Sequence, residues 1–291
     1  MKRIFYYNID YFCNNNCLFC FSVSTGKDKG IVSLEQIKKD VSFWSMNKND
    51  LIVLNGGEPT LHPDFYNIIE YIINKTESFI SIYTNGTILN TKRIPNTERI
   101  KIIIPIHGNA AVHDLITQNS GSYQSTLKTL HEIQNEKIFM SIKFIVGWAL
   151  VNSEFSISKF LEKESILPNE IVIARQNVTP KSIHNKVEKL DTGDYATFVK
   201  NTFHLLKNTH RLLFLDTPIC QLPEFKNWFK NIETPKFFFS DCNNKLIEKK
   251  YYKQIKIFSK CVYCTQKEIC EIISNSYLTT VYDKKWLIEC E

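Results

Sequence analysis

Cys13, Cys17 and Cys20 stand in one eight-residue run, Cys-Asn-Asn-Asn-Cys-Leu-Phe-Cys. Three thiolates at this spacing can hold three irons of a cubane [4Fe–4S] cluster and leave the fourth iron without a protein ligand. An open metal position is a place for reaction, whereas a fully ligated one is a structural fastening. A zinc loop more commonly shows paired CxxC units and a fourth ligand, and no further Cys or His lies close by. A second set stands far downstream: Cys261-Val-Tyr-Cys264, followed by Cys270. It needs a fourth ligand, which Cys220, Cys242 or Cys290 can supply. Spacing alone admits either a closed [4Fe–4S] site or a zinc site of four thiolates.

Gly56-Gly57-Glu58-Pro59 is the other constellation with chemistry in it. Glycines let backbone approach a partner closely, and an adjacent carboxylate can accept hydrogen bonds from an ammonium group. Taken alone, the same residues also read as a strand-to-helix turn with a carboxylate at the helix start.

These residues need elements to position them. Residues 3–10 read as a strand that ends at the cysteine loop, and 33–46 as a helix with Ser33 as its N-cap. A buried strand over 51–55 is bounded by Gly56-Gly57. A helix over 63–75 has Pro63 at its start; 79–86 is strand then turn, 101–108 a strand and 122–135 a helix. The apolar run over 139–151 reads as one buried strand, 153–163 as a helix, 169–175 as a strand and 194–207 as a helix. Strand and helix thus alternate about six times with short connections, which predicts an α/β fold with a parallel sheet, an open partial (β/α)6 barrel. Loops at the C-terminal ends of its strands carry the reactive residues in such a fold. The cysteine loop, Gly56-Gly57-Glu58, Thr84-Asn85-Gly86 and His107-Gly108-Asn109 all follow strands and are expected at one mouth. From about Leu212 the alternation stops and six of the nine cysteines appear. The expected division is a core over 1–211 and a small metal-stabilised extension over 212–291.

Composition sets the remaining bounds. With 291 residues, 43% of them apolar, the chain can bury a large core. Net charge is +6, and segments such as 248–256 read most simply as solvated faces, so nucleic-acid binding does not follow. The opening MKRIFYYNID lacks the apolar stretch of a signal peptide, and no 18-residue apolar run exists. A cytoplasmic location is expected, where cysteines are more often metal ligands than disulfides.

The CxxxCxxC run, with Phe19 just before its third cysteine, and the GGEP run resemble the radical S-adenosylmethionine (radical SAM) family, the latter residue for residue. The resemblance implies that Cys13, Cys17 and Cys20 hold a [4Fe–4S] cluster that binds S-adenosylmethionine, and that Gly56, Gly57 and Glu58 receive its methionine amino group. Thr84-Asn85-Gly86 resembles the family's third-strand ending. Residues 104–127 resemble a stretch of members with a C-terminal cluster domain, which implies that His107 and Asn109 face the S-adenosylmethionine pocket, though His113-Asp114 can equally just open a helix. Lys143 on the fifth strand is a choice for the carboxylate of the nucleoside, and Gln176 ends the sixth strand. The stretch 216–225 resembles the Pro-x-Cys segment of twitch and SPASM extensions. That implies Cys220 as the fourth ligand beside Cys261, Cys264 and Cys270, in one auxiliary [4Fe–4S] cluster, with Cys242 left free. Glu271 stands where the family often has Gly.

The resulting expectation is an enzyme that cleaves S-adenosylmethionine reductively to a 5′-deoxyadenosyl radical and modifies a peptide or protein. The alternatives are an enzyme of cofactor or nucleotide biosynthesis and a non-catalytic iron–sulfur or zinc protein. Expected partners are a peptide or small-molecule substrate, an electron donor of flavodoxin or ferredoxin type and, because the chain opens directly on its first strand, a separate leader-peptide-binding protein.

Overall fold

The computed structural model describes residues 3–20, 30–48, 50–176, 179–190, 192–206, 211–215, 236–240 and 246–249. Seven parallel strands follow one another in sheet order: β1 (Arg3–Asp10), β2 (Leu51–Gly56), β3 (Phe79–Tyr83), β4 (Ile100–Ile106), β5 (Phe139–Val146), β6 (Glu170–Arg175) and β7 (Arg211–Leu215). On the other side of β1, β8 (Lys236–Ser240) adds in parallel and β9 (Leu246–Lys249) pairs antiparallel to it. Among the described residues β7 and β9 form the two edges, so the sheet is open. The α/β expectation holds, with seven parallel strands in succession where the alternation showed six. The seventh is a five-residue run, too short to stand out by periodicity.

Helices α1 (Leu34–Phe43), α2 (Phe65–Lys75), α3 (Ala110–Thr117), α4 (Ser122–Asn135), α5 (Trp148–Asn152), α6 (Ile157–Lys163), α7 (Pro180–His184) and α8 (Thr192–Leu206) fill the connections. Ser33 caps α1, its side chain accepting from Gln36 N. Two readings need correction. The apolar run 139–151 is not one strand: β5 stops at Val146 and residues 148–152 are helical. Gly147 makes the break, and a Cβ there would lie 1.8 Å from Gln176 Oε1. The helix expected over 153–163 begins only at Ile157, where Ser156 caps it.

Strand residues alternate between two surroundings. Phe5, Tyr7 and Ile9 of β1, Ile52 and Leu54 of β2, and Ile142 and Phe144 of β5 are buried in the core that the helices cover. Their neighbours in sequence point the other way, to the concave side. At the N-terminal ends of β4–β7 that side is sealed by Glu170, 1% exposed, which accepts from Lys101 Nζ at 2.8 Å and Ser141 Oγ at 3.0 Å and faces Arg211 Nε at 3.4 Å. The charged plug closes the end opposite the cysteine loop and leaves the C-terminal ends of the strands as the open mouth.

Candidate active site

The cysteine loop is anchored by its polar spacers. Asn14 Nδ2 donates to Thr87 Oγ1 at 2.7 Å and its Oδ1 accepts from Asn85 Nδ2 at 2.7 Å. Asn15, buried, accepts from Asn119 Nδ2 at 2.8 Å. Asn16 N and Leu18 N donate to Thr117 O and Ile116 O at the end of α3, both at 2.9 Å. Lys181 Nζ donates to Asn16 Oδ1 at 2.7 Å and Asn185 Nδ2 to Leu18 O at 2.9 Å. Loops after β3, β4 and β6 thus fix the backbone between the thiols with bonds that use no sulfur.

The thiols themselves are half-buried and unpaired by disulfides. Burial, together with repulsion from Glu58 and Cys20, pushes Cys13 up to about 11. Burial and the neighbouring Cys20 and Cys13 push Cys17 up to about 12. Ionising such a group of thiols needs positive charge brought among them, which a bound metal supplies. Among the described residues no three His, Cys, Asp or Glu side chains converge on one metal-ion position. Three thiolates that each hold a different iron need not do so.

Gly56 and Gly57 bring the end of β2 against the start of this loop. Gly57 N donates to Asp10 O at 2.7 Å and Glu58 N to Phe12 O at 2.6 Å. A Cβ on Gly56 (φ +151°) would lie 2.0 Å from Asp10 O, and one on Gly57 2.1 Å from Phe12 O. The close approach that demands glycine is therefore to the chain's own backbone. It delivers Glu58, 1% exposed, next to the cysteines. Glu58 Oε1 accepts from Thr60 Oγ1 (2.5 Å), Thr84 Oγ1 (2.6 Å) and Thr60 N (3.1 Å), and Oε2 accepts from Asn85 N (2.6 Å). Burial raises its pKa against the pull of these donors. The strand-end turn and the buried carboxylate coexist: Glu58 caps the 3-10 turn Pro59–Leu61 while facing the β3 loop.

His107, just past β4, is buried with its ring edge-on to Phe19, centroids 5.4 Å apart. Lys143 Nζ lies 5.6 Å from the Tyr83 ring centroid, and its charge, after burial and His113, helps to hold His107 neutral. Phe19, His107, Thr84, Asn85 and Glu58 are thus brought to the cysteine loop. Asn109 is exposed and caps α3, accepting from Val112 N at 3.1 Å. Gln176 packs on Gly147 and donates through its backbone N to Val146 O at 2.9 Å. Of the His113-Asp114 pair, Asp114 accepts from Gly121 N, Ser122 Oγ and Tyr123 N at 2.7–3.0 Å, satisfying the first turn of α4. His113, 1% exposed, packs between His107, whose ring is tilted to it, and Tyr123, which meets it edge-on. Sequence reasoning missed Asn8 and Asn55, which pair in register near the strand ends, half-buried on the concave side; isolated asparagines carry no spacing signal. Cys220, Cys261, Cys264 and Cys270 lie outside the described residues, as do Cys242 and Cys290.

The histidine pair has a testable consequence. Burial lowers His113 to about 4. A histidine whose folded pKa is below its unfolded value of about 6.5 stabilises fully above 6.5 and loses that contribution as pH falls toward 4. Unfolding of the apo chain is therefore expected to become easier by on the order of 1–2 kcal/mol between pH 7 and pH 5 from His113 alone. Denaturant melts at both pH values check this, and His113→Gln should flatten the trend.

The two buried side-chain polar atoms without a partner among the described residues are Asp10 Oδ2 and His107 Nδ1. They lie at the two ends of the cysteine loop, where buried polar atoms without partners mark room for a bound group. Residues 7–150, which hold every feature just described from Asn8 to Lys143, match the radical SAM superfamily. This stretch is a radical SAM domain. Such a domain implies a [4Fe–4S] cluster and S-adenosylmethionine, and the donor set of Cys13, Cys17 and Cys20 fits that cluster.

Two relatives illustrate the range of the superfamily. The antilisterial bacteriocin subtilosin biosynthesis protein AlbA of Bacillus subtilis is 30% identical over 139 residues, covering 46% of this chain and 31% of AlbA. The Fe-coproporphyrin III synthase of Methanosarcina barkeri is 24% identical over 169 residues, covering 57% and 42%. The chain thus spans less than half the length of either relative. Among solved structures, Streptococcus suis SuiB bound to S-adenosylmethionine superimposes with a TM-score of 0.69 at 15% identity, over 99% of this chain and 76% of SuiB. That likeness shows the fold.

Proposed function

We propose that this radical SAM protein cleaves S-adenosylmethionine reductively and uses the product to modify a ribosomally made peptide. The observation that carries the first half is the placement of Cys13, Cys17 and Cys20 in one anchored loop beside buried Glu58. When bound, the reduced cluster supplies an electron to S-adenosylmethionine, giving methionine and a 5′-deoxyadenosyl radical that takes hydrogen from substrate. The chain's own residues bind and orient. Cys13, Cys17 and Cys20 hold the cluster, Glu58 receives the ammonium group, and Gly56 and Gly57 hold that carboxylate against the loop. Thr84 and Asn85 fix Glu58, Phe19 and His107 wall the pocket, and Lys143 faces the ligand's carboxylate, with Asn109 and Gln176 at its margins.

A peptide substrate is supported by AlbA, named for bacteriocin biosynthesis, and by SuiB, whose structure has also been solved bound to the precursor peptide SuiA. Fe-coproporphyrin III synthase favours the second reading, an enzyme of cofactor biosynthesis. Incubating the reconstituted protein with dithionite and S-adenosylmethionine should release 5′-deoxyadenosine; no release leaves only the non-catalytic reading. A flavodoxin- or ferredoxin-type donor, a separate leader-peptide-binding protein and a cytoplasmic location belong to the same proposal. Among the described residues no helix is long and apolar enough to cross a membrane.

Residues 1–211 are proposed as the core and 212–291 as a SPASM/twitch-like extension in which Cys220, Cys261, Cys264 and Cys270 close one auxiliary [4Fe–4S] cluster. Cys220→Ala is expected to lose that cluster, and Cys242→Ala to keep it. Basal cleavage of S-adenosylmethionine should survive in both. A normal second cluster in Cys220→Ala together with its loss in Cys290→Ala would assign the fourth ligand to the C-terminus.

A further inference from the structure

We infer that Asn85 is a positioning residue that sets the reduction potential of the N-terminal cluster through Cys13 while it holds Glu58 in place; this rests on the cluster reading proposed above. Every polar atom of Asn85 is engaged. Its backbone N donates to Glu58 Oε2 at 2.6 Å, and its carbonyl accepts from Thr126 Oγ1 at 2.9 Å. Its Oδ1 accepts from Thr87 N at 2.9 Å and Thr87 Oγ1 at 2.7 Å. That fixes which end of the side chain is oxygen, so the amide nitrogen is forced toward the cysteine loop. There Nδ2 donates to Asn14 Oδ1 at 2.7 Å and reaches Cys13 Sγ at 3.9 Å. Asn15 N reaches the same sulfur at 3.4 Å. Cys13 thus has a side-chain donor aimed at it from outside its own loop.

A donor to a ligating sulfur withdraws negative charge and favours the reduced cluster, so potentials rise with such contacts. The reduced state is the one that must be reached before S-adenosylmethionine can be cleaved. One residue therefore serves both the carboxylate proposed for the ammonium group and the sulfur that feels the electron. The backbone contact to Glu58 survives any substitution of the side chain, which separates the two roles experimentally.

The test is an EPR-monitored redox titration of the reconstituted full chain. The signal that changes shape on adding S-adenosylmethionine identifies the Cys13–Cys20 cluster. A sulfur contact at 3.9 Å is weaker than an ordinary hydrogen bond. Asn85→Ala is accordingly expected to lower the ratio of reduced to oxidised cluster about threefold at fixed potential, a shift of about 30 mV to more negative values at 59 mV per decade. Asn85→Asp, similar in shape but acceptor-only, should shift it further in the same direction. Asn14→Ala removes the acceptor that steers the amide and should give a smaller negative shift. If Asn85→Ala fails to take up iron, Asn14→Ala decides. Wild-type potentials in both alanine variants at full iron content overturn the inference and leave the proposed function intact. A wild-type chain in which no signal responds to S-adenosylmethionine refutes that function, and this inference with it.

Discussion

Changing Cys13, Cys17 and Cys20 together to alanine is expected to halve the iron of the reconstituted chain and abolish S-adenosylmethionine cleavage. The wild type should bind about eight irons, in two [4Fe–4S] clusters, and the variant about four. The structure says why the variant should still fold. The loop is tied to Thr87, Ile116, Thr117, Asn119, Lys181 and Asn185 by bonds from backbone and asparagine groups, none of them through sulfur. Removing three thiols leaves those bonds in place and relieves the burial that raises Cys13 and Cys17. Circular dichroism should therefore be unchanged while activity disappears. Iron analysis decides the matter. A variant that keeps all its iron places the clusters elsewhere, and a wild type with four irons and one tightly held zinc removes the auxiliary cluster.

What was legible in the sequence was what depends on local spacing. CxxxCxxC and GGEP are short, so their residues must be neighbours whatever the fold, and the alternating strands then dictated a shared mouth. What was not legible depends on register between segments far apart in the chain. Local spacing assigns nothing to the asparagines between Cys13 and Cys17, yet each binds a partner 71 or more positions away. Gly56 and Gly57 looked like room for a ligand, and their demand is set by Asp10 and Phe12 across the β1–β2 contact. His113-Asp114 could equally have opened a helix, and Asp114 instead satisfies the first turn of the next one, α4. Asn109 has a complete explanation in its cap alone. The break at Gly147 was hidden because Trp148, Ala149, Leu150 and Val151 continue the apolar run, and composition cannot separate a short helix from a strand end.

The second large effect belongs to Glu58. It is 1% exposed and accepts four hydrogen bonds, all from neutral donors. Three of the four fall on Oε1, so Oε2, held by Asn85 N alone, keeps a lone pair for an ammonium group. Glu58→Gln removes the charge and turns an amide nitrogen toward one of these sets. Placed at Oε1 it meets two hydroxyls that can rotate to accept, but also Thr60 N–H, which cannot. Placed at Oε2 it meets Asn85 N–H. Two results follow. Loss of a charge-assisted hydrogen bond costs on the order of 1.5–3 kcal/mol, so S-adenosylmethionine should bind about tenfold more weakly or worse. A buried donor left facing a donor costs about 1–3 kcal/mol of stability, which denaturant melts will show. Iron content should be unchanged, because Glu58 holds no iron. Thr60→Val is the control: it removes one hydroxyl from Oε1, costs stability, and leaves the charge and Oε2 in place, so affinity should change little. Equilibrium dialysis of the two variants separates the roles. If Glu58→Gln binds S-adenosylmethionine as the wild type does and is merely less stable, the carboxylate only joins the β2 and β3 loops, and the ammonium group must be received elsewhere at the mouth.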